Sequence, residues 1–228
     1  MPKRTRSTKT SDQKGNKPWL RQPKPYAYAL NSRSTNRTFL IVCEGQTEEQ
    51  YFNSFPVLAA TVKPIHAGSS KTALVDAVTK YTRGKSYDEV WCVFDLDFDP
   101  GISGQAEDFN RAIRKARELG YHCAYSNDSF ELWFVLHYQY MDQQQHRDFY
   151  CELLGRHWNM NYTRGGKVLR FARGIYTLLH EDREASQQKA IDHASKLLAS
   201  HDTKPFHLQN PVTTVFQLVE RLNEHCRK

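Results

Sequence analysis

The first half of the chain alternates between short apolar runs and longer segments with helical spacing. The apolar runs cover residues 38–43, 61–66, 88–95 and 121–125. Their length and their β-branched and aromatic content predict strands buried on both faces. The intervening apolar spacing predicts helices at residues 47–55, 68–80, 106–119 and 130–138. Strands that alternate with helices predict parallel βαβ units with right-handed crossovers.

A different pattern begins near Met141. No further buried strand is predicted there, and the apolar spacing predicts helices at residues 142–155, 166–180, 184–199 and 211–226. We therefore expect an α/β fold, in which helices flank a central parallel sheet and a C-terminal helical portion packs on this core. The predicted units are an N-terminal arm at 1–37, an α/β domain at 38–140 and the helical portion at 141–228.

Two helix starts carry residues that commonly act as N-caps. Thr47 precedes Glu48 and Glu49, which is typical of a capped first turn with acidic residues. Asp128 or Ser129 is the predicted cap of the aromatic helix that follows the fourth strand. Both predictions rest on local residue preference alone.

The positive charge of the chain is concentrated at its N-terminus. The formal net charge is +7, yet residues 1–37 hold ten Lys or Arg and one acid, which gives +9. The remaining residues include 22 basic and 24 acidic side chains, which gives −2. The composition of residues 1–37 predicts a disordered basic arm. Such an arm attracts polyanions, although a solvated tail with no specific partner would have the same charge.

Several protein classes are disfavoured by features that the sequence lacks. No apolar run reaches the about 18 residues of a membrane span, and no apolar stretch follows the basic N-terminus as a secretory signal requires. The five cysteines are scattered in mostly apolar surroundings without a C-x-x-C pair. We therefore expect a cytoplasmic protein with reduced, buried thiols, without structural zinc and without a membrane partner. The oligomeric state stays open, and a homo-oligomer is among the alternatives.

Acidic residues follow two of the predicted strands. Glu44 comes directly after the first strand, and Asp95-x-Asp97 closes the third. Ligands of open parallel sheets bind beyond the carboxyl ends of the strands, so these acids are expected to meet. Three neighbouring carboxylates would repel one another unless a cation holds them, and Mg²⁺ prefers such oxygen ligands. The alternative is that Glu44 is a loop acid at a helix start and that the aspartates form a solvated turn.

The same residues resemble a known family. The motif I-V-C-E-G-x-T-E occupies residues 41–48, D-x-D occupies 95–97, and S-N-x-S-F-E-L-W occupies 126–133. A late N-P-x-T at 210–213 precedes an amphipathic helix. Together these motifs resemble the RloB-like family from about residue 38 to the C-terminus, and the segment at 126–133 is the most specific of them.

This resemblance implies a Toprim-type fold, as in topoisomerases, bacterial primases and OLD-family nucleases. In that fold a glutamate after the first strand and a D-x-D after a later strand share one divalent metal site. Glu44, Asp95 and Asp97 match these positions, which implies a Mg²⁺- or Mn²⁺-dependent nuclease. The resemblance also implies a role in antiphage defence beside an ABC-type ATPase. The substrate stays open between DNA and RNA, tRNA included.

Further residues are candidates for the same site. Glu131 is a candidate fourth catalytic acid, although a helix-face acid paired with a base would have the same sequence context. Asn127 and Ser129 are candidates for substrate binding or for positioning Glu131, although turn and cap residues need no such role. Lys71, at a helix start, is a candidate phosphate ligand.

The segment at 162–173 contains glycines and basic residues, and its Lys167 is a second candidate phosphate ligand. A surface loop with a solvated helix face explains this segment equally well. Trp158 and Tyr162 offer rings for base stacking, although core packing is the default for such rings. The G-S-S-K-T segment at 68–72 lacks the spacing of a nucleotide-binding P-loop, so any ATP switch must come from another chain.

Three functions are therefore compatible with the sequence. The first is the metal-dependent nuclease. The second is a phosphatase that uses the D-x-D, although Phe98-Asp99-Pro100 and the position of the motif on the third strand depart from that family's pattern. The third is a non-catalytic module in which the acids are structural and the basic arm binds nucleic acid or a protein partner.

Overall fold

Five strands form one sheet in the order β2-β1-β3-β4-β5. The computed structural model describes residues 37–57, 59–64, 70–166 and 168–226. All but Arg37 of the predicted arm lies outside these residues. The strands are β1 (Phe39–Cys43), β2 (Ala60–Pro64), β3 (Glu89–Asp95), β4 (His122–Asn127) and β5 (Val212–Thr213).

The first four strands are parallel, as predicted. β1 lies between β2 and β3, with Phe39 opposite Ala60 on one side and Glu89 on the other. Every residue of β1 and β3 is buried, which explains their continuous apolar runs. The predicted α/β class, with a mostly parallel sheet, flanking helices and a helical C-terminal region, is confirmed.

Ten α-helices are described. They are α1 (Gln46–Asn53), α2 (Lys71–Thr82), α3 (Gln105–Glu118), α4 (Glu131–Val135), α5 (Arg147–His157), α6 (Tyr162–Gly165), α7 (Leu169–Ala172), α8 (Ile175–Glu181), α9 (Gln187–His201) and α10 (Val215–Asn223). A short 3-10 helix spans Phe206–Leu208. No helix within the described ranges has the length and apolar character to cross a membrane.

The C-terminal part contributes a strand, which the sequence prediction excluded. β5 pairs antiparallel with β4, and Thr213 lies opposite Ser126. The two side-chain hydroxyls are 2.8 Å apart and hydrogen-bonded. Thr214 continues the contact, because its Oγ1 accepts a hydrogen bond from the Tyr125 backbone N–H at 2.9 Å. The predicted helix at 211–226 therefore begins only at Val215.

Both predicted N-caps were wrong. α1 begins at Gln46 after Gly45, and no side chain caps it. α4 begins after Phe130, also without a side-chain cap, and it ends at Val135 rather than at 138. The Asp128 carboxylate instead accepts hydrogen bonds from two other loops, which are described below. At Asp128, tertiary contacts therefore outweigh the local preference of this residue for a helix N-cap.

The helix predicted at 166–180 is interrupted. It consists of α7 and α8, with Gly174 before the first residue of α8. By contrast, α9 begins after a side-chain cap, because Ser186 Oγ accepts a hydrogen bond from the Lys189 backbone N–H at 3.3 Å. All five cysteines are free, and four of them are buried as expected, whereas Cys226 is partly exposed.

Candidate active site at the carboxyl edge of the sheet

Four of the predicted acids line one pocket beyond the carboxyl ends of β1 and β3. Glu44 follows β1, and its backbone N–H donates to Val93 O on β3 at 3.0 Å. Asp95 is the last residue of β3, Asp97 lies two residues on, and Glu131 begins α4. The pocket that they share has a volume of about 190 Å³. The parallel pairing of β1 with β3 thus brings Glu44 close to acids that lie 51 and 53 residues further along the sequence.

Lys71 contacts the first of these acids directly. Its Nζ donates to Glu44 Oε1 at 2.5 Å, and both side chains are largely buried. Burial raises the pKa of Glu44, and Lys71 only partly offsets this effect. Burial alone would lower the pKa of Lys71, but the carboxylates of Asp95 and Glu44 outweigh burial, and the pKa is raised. Lys71 therefore remains a cation inside the acidic site.

Arg147 contributes a second cation, from outside the α/β part of the chain. It is the first residue of α5, and its guanidinium forms a short ion pair with the Asp97 carboxylate. Burial works against the charged guanidinium, yet Asp97, Glu131 and Asp95 together raise the pKa of Arg147. The helical portion thus supplies a charged group to the same pocket.

Asp128 fixes the loop that carries Asp97 relative to α5. Its Oδ1 accepts from the Phe98 backbone N–H at 2.8 Å, and its Oδ2 accepts from the Arg147 backbone N–H at 3.2 Å. Its backbone carbonyl accepts from the Asp97 N–H at 2.9 Å. Asp97 has a φ of +52°, in the left-handed region that non-glycine residues rarely adopt. These contacts hold Asp97 in that conformation beside Arg147.

Asp95 is the most deeply buried acid of the β3 pair. It is 7% exposed, and its Oδ2 accepts a hydrogen bond from the Phe130 backbone N–H at 3.1 Å. Burial raises the pKa of Asp95 well above its usual range, and the neighbouring Asp97 and Glu48 raise it further. In the absence of a bound cation, the site therefore favours a proton on Asp95.

Glu48 is a fifth acid in the pocket, although the sequence analysis described it only as an acid in the first turn of a helix. It is 7% exposed and lines the same pocket as Glu44. Its carboxylate folds back over Gly45 so closely that a Cβ atom at position 45 would overlap it. The glycine of the E-G pair therefore makes room for a carboxylate, in addition to ending the strand.

The other predicted binding residues are placed differently. Asn127 is 1% exposed, and its Nδ2 donates to the backbone carbonyls of Phe206 and His207 at 3.3 and 2.9 Å. Ser129 is fully buried, and its Oγ has no hydrogen-bond partner among the described residues. Neither residue lines the acidic pocket. Lys167 lies outside the described residues.

The amides at the N-terminus of α2 already have an anionic partner. Asp108 Oδ2 accepts from the Lys71 N–H at 2.6 Å and from the Thr72 N–H at 3.4 Å, and Asp108 Oδ1 accepts from Thr72 Oγ1 at 2.6 Å. Asp108 lies on α3. Any phosphate contact of Lys71 would therefore use its side chain, because a carboxylate occupies the place that a phosphate would take at the backbone.

Trp158 and Tyr162 belong to the core, as the default expectation for such rings stated. Tyr162 is 1% exposed, and Trp158 packs against it with ring centroids 5.4 Å apart. Neither ring lines the acidic pocket. Neither ring is therefore placed to stack on a ligand in that pocket.

The donor set of the pocket fits a hard divalent cation in chemical type. The oxygens of Glu44, Asp95 and Asp97 are ligands that Mg²⁺ prefers, and Glu44 Oε2 is buried without a hydrogen-bond partner among the described residues. Lys71 engages Glu44 Oε1, and Arg147 engages Asp97 Oδ1. In this arrangement, no group of three or more His, Cys, Asp or Glu within the described ranges is set to hold a metal ion. A bound cation would compete with Lys71 for Glu44 Oε1 and with Arg147 for Asp97 Oδ1.

Three residues of the site had no local sequence signal for the contacts that they make there. Arg147, Asp128 and Asp108 act through contacts across 50, 30 and 37 residues, to Asp97, Phe98 and Lys71 respectively. Each stands among charged or polar residues that look like an ordinary helix start or turn. Only the pairing of distant segments identifies their parts in the site.

The mostly parallel sheet thus carries a cluster of acids, the buried Lys71 and the partly buried Arg147 at its carboxyl edge, where ligands of open α/β sheets bind. The chain matches the RloB-like protein family over residues 39–222, which is most of its length. The protein therefore belongs to the RloB-like family. Searches of curated proteins and of solved structures returned no match.

Proposed function

We propose that this protein is a divalent-metal-dependent nuclease of the Toprim type. One observation carries the proposal: Glu44, Asp95, Asp97 and Glu131 line one pocket beside Arg147, and Lys71 lies on Glu44. Buried carboxylates at this density are costly unless cations compensate them. A hard divalent cation together with a phosphate group would compensate these charges. The cation would bind the acids, and the phosphate would bind Lys71 and Arg147.

Each side chain has a part in this proposal. Glu44, Asp95 and Asp97 would hold the ion, which when bound polarises the phosphate and activates a water molecule. Lys71 and Arg147 would exchange their carboxylate partners for non-bridging phosphate oxygens. Glu131, 4% exposed and close to Arg147, would orient the water. Asp128 would hold the loop that carries Asp97 in a fixed position relative to Arg147.

The direct test is cleavage of a broad panel of single- and double-stranded DNA and RNA, tRNA included, with Mg²⁺ or Mn²⁺. Glu44→Gln and Asp95→Asn should each lower cleavage by about 100-fold or more, since changes even beyond the metal ligands cost 10- to 100-fold. Glu118→Gln is the matched control, because Glu118 is exposed at the end of α3. An intact panel with the wild type, or equal cleavage by all variants, would remove the nuclease assignment.

A non-catalytic module is the second candidate, and the two ion pairs favour it. Lys71 with Glu44 and Arg147 with Asp97 would then be permanent structural pairs. Titration calorimetry of Mn²⁺ separates the two functions. The nuclease proposal expects binding to wild type, weaker binding to Asp97→Asn and tighter binding to Lys71→Met, which removes a competing cation. Negligible heat with all three proteins would favour the structural module.

The antiphage role and the ABC-type ATPase partner rest on the family resemblance. The chain has no P-loop spacing of its own, so an ATP-dependent trigger would belong to the partner. Co-expression with the candidate ATPase, followed by phage infection, tests this extension. Wild-type protein should arrest growth or block phage, and Asp95→Asn should do neither. An effect that persists in Asp95→Asn would separate the biological role from the acidic pocket.

A further inference from the structure

A second and larger pocket adjoins the acidic site. It has a volume of about 580 Å³, within the range of small-ligand sites. Phe98 and His146 line it, and the same two residues line the cleft that contains Glu44, Asp97 and Arg147. The two spaces therefore share a wall, and a ligand with one group at the acids could place a second group in this pocket.

The lining of this pocket differs from that of the acidic site. It contains four carboxamide side chains and no Lys or Arg among the described residues, so it does not suit a phosphate. The carboxamides belong to Asn127, Gln144, Gln145 and Asn210. Apolar surface comes from Leu96, Phe98 and Leu208, and the last two side chains are 47% and 55% exposed. Flat apolar faces combined with amide edges are the complement of a nucleobase.

Two hydrogen-bond acceptors of the lining residues have no partner. The Oδ1 atoms of Asn127 and Asn210 are buried, and no described group donates to them. Asn127 is 1% exposed, and its Nδ2 is bound to Phe206 O and His207 O, which fixes its Oδ1 on the opposite side of the amide. A buried acceptor left unpaired costs free energy, so both amides would gain by turning toward an amino group of a bound ligand.

We propose that this amide pocket holds one unstacked nucleobase of a single-stranded nucleic acid whose adjoining phosphodiester lies at the acidic site. Phe98 stacks on the base, and the carboxamides meet its polar edge. This inference rests on the proposed nuclease function and specifies its substrate class. A base can enter such a pocket only when it is unpaired, so the substrate is a single strand, a loop or a flipped nucleotide.

The test measures binding without cleavage. Asp95→Asn protein is titrated with a single-stranded 12-mer that contains 2-aminopurine, and with the same oligomer carrying an abasic site at that position. The base-containing oligomer should bind about tenfold more tightly, because stacking on one aromatic ring typically contributes that much. Its fluorescence should rise, because the base leaves the stack of its neighbours. Phe98→Ala should remove both effects, and Tyr81→Ala, a partly exposed ring on α2, should remove neither.

A second variant, which fills the pocket, distinguishes a loss of base binding from an effect of Phe98→Ala on folding. Ala106 lines the amide pocket at the start of α3, so Ala106→Trp should also abolish the preference for the base. Equal affinity for the two oligomers, or preference retained in both variants, would overturn the pocket assignment while cleavage by the wild type still supports the nuclease. Base preference without any cleavage would instead leave the pocket standing as a binding site and remove the nuclease. Preferential binding of duplex over single strand would contradict the proposal directly.

Discussion

Asp108 offers a sharp test of how the acidic site is held together. Its carboxylate on α3 accepts from the Lys71 and Thr72 backbone N–H groups and from the Thr72 hydroxyl, with two distances of 2.6 Å. The side chain is only 18% exposed. This one residue therefore satisfies the first turn of α2, from which Lys71 reaches Glu44. We expect Asp108→Asn to loosen that turn, because an amide nitrogen cannot accept one of these hydrogen bonds.

The expected magnitude follows from the bonds that are lost. A hydrogen bond to a charged group contributes about 1.5–3 kcal/mol, and a negative charge at a helix N-terminus adds about 0.3–1 kcal/mol. Asp108→Asn should therefore cost about 2 kcal/mol, and the more drastic Asp108→Ala about 3–4 kcal/mol. For a chain of this size, about 2 kcal/mol corresponds to a fall in Tm of roughly 4–8 °C.

The matched control is the preceding residue. Glu107 lies on the same helix and is exposed, so Glu107→Gln removes the same charge without removing a buried hydrogen bond. Its effect on stability should stay within about 0.5 kcal/mol. Urea unfolding of the wild type and the variants measures both free energies. Equal stabilities of Asp108→Asn and Glu107→Gln would refute the structural role of Asp108.

The pH dependence of stability is a second test of the contacts made by Asp108. Burial alone would raise the pKa of Asp108, but the hydrogen bonds from Thr72 and Lys71 outweigh burial and lower it. A carboxyl whose pKa is lower in the folded state stabilises the fold above its unfolded pKa of about 3.9. That advantage is lost as the pH falls through the lowered folded value. The stability difference between wild type and Asp108→Asn should therefore be full at pH 6 and shrink below pH 4.

Three further predictions concern other residues. Gly45→Ala should lower cleavage while costing less than about 1 kcal/mol of stability, since the flexible Glu48 carboxylate can move aside; unchanged cleavage would show that its position is unimportant. Burial lowers the pKa of His137 to about 4, so only the unfolded state gains its proton as the pH falls below about 6.5. Between pH 7 and pH 5, the free energy of unfolding of the wild type should fall by about 2 kcal/mol more than that of His137→Gln, as measured by urea unfolding. The control is His180→Gln at an exposed position, which should lose as much stability as the wild type. Glu89→Gln should cost about 2–3 kcal/mol in thermal unfolding, because buried Glu89 accepts from Trp91 and pairs with Arg221; a change under about 0.5 kcal/mol would contradict this.

The parallel sheet could be predicted because its strands are buried on both faces. Complete burial requires continuous apolar runs, and the runs at 38–43 and 88–95 therefore located β1 and β3 to within one residue at each end. β5 could not be predicted in this way, because it has only two residues and lies at the sheet edge. Its stability comes from hydrogen bonds to β4, including Ser126 with Thr213, and these have no counterpart in the local sequence.

The same distinction separates the site residues that could be predicted from those that could not. The positions of Glu44, Asp95 and Asp97 could be predicted because these residues end or closely follow recognisable strands, and parallel strands share one carboxyl edge. Glu131 could be added because α4 follows β4 directly. Arg147 and Asp108 could not be found, since each reaches the site from another element through a long-range contact. Sequence patterns thus identify the groups on the sheet, and only the fold identifies the charges that balance them.

The balance of positive and negative charges limits what the acidic pocket can bind. Five described carboxylates, those of Glu44, Glu48, Asp95, Asp97 and Glu131, line it, and Lys71 and Arg147 supply two positive charges at its edge. Full ionisation would leave three negative charges in excess, which burial disfavours. A proton on Asp95 removes one of them, and this agrees with the raised pKa of that group. A divalent cation would remove two without a proton, so the proton and the cation compete for the same carboxylate. Metal binding at this site should therefore release a proton and weaken as the pH falls.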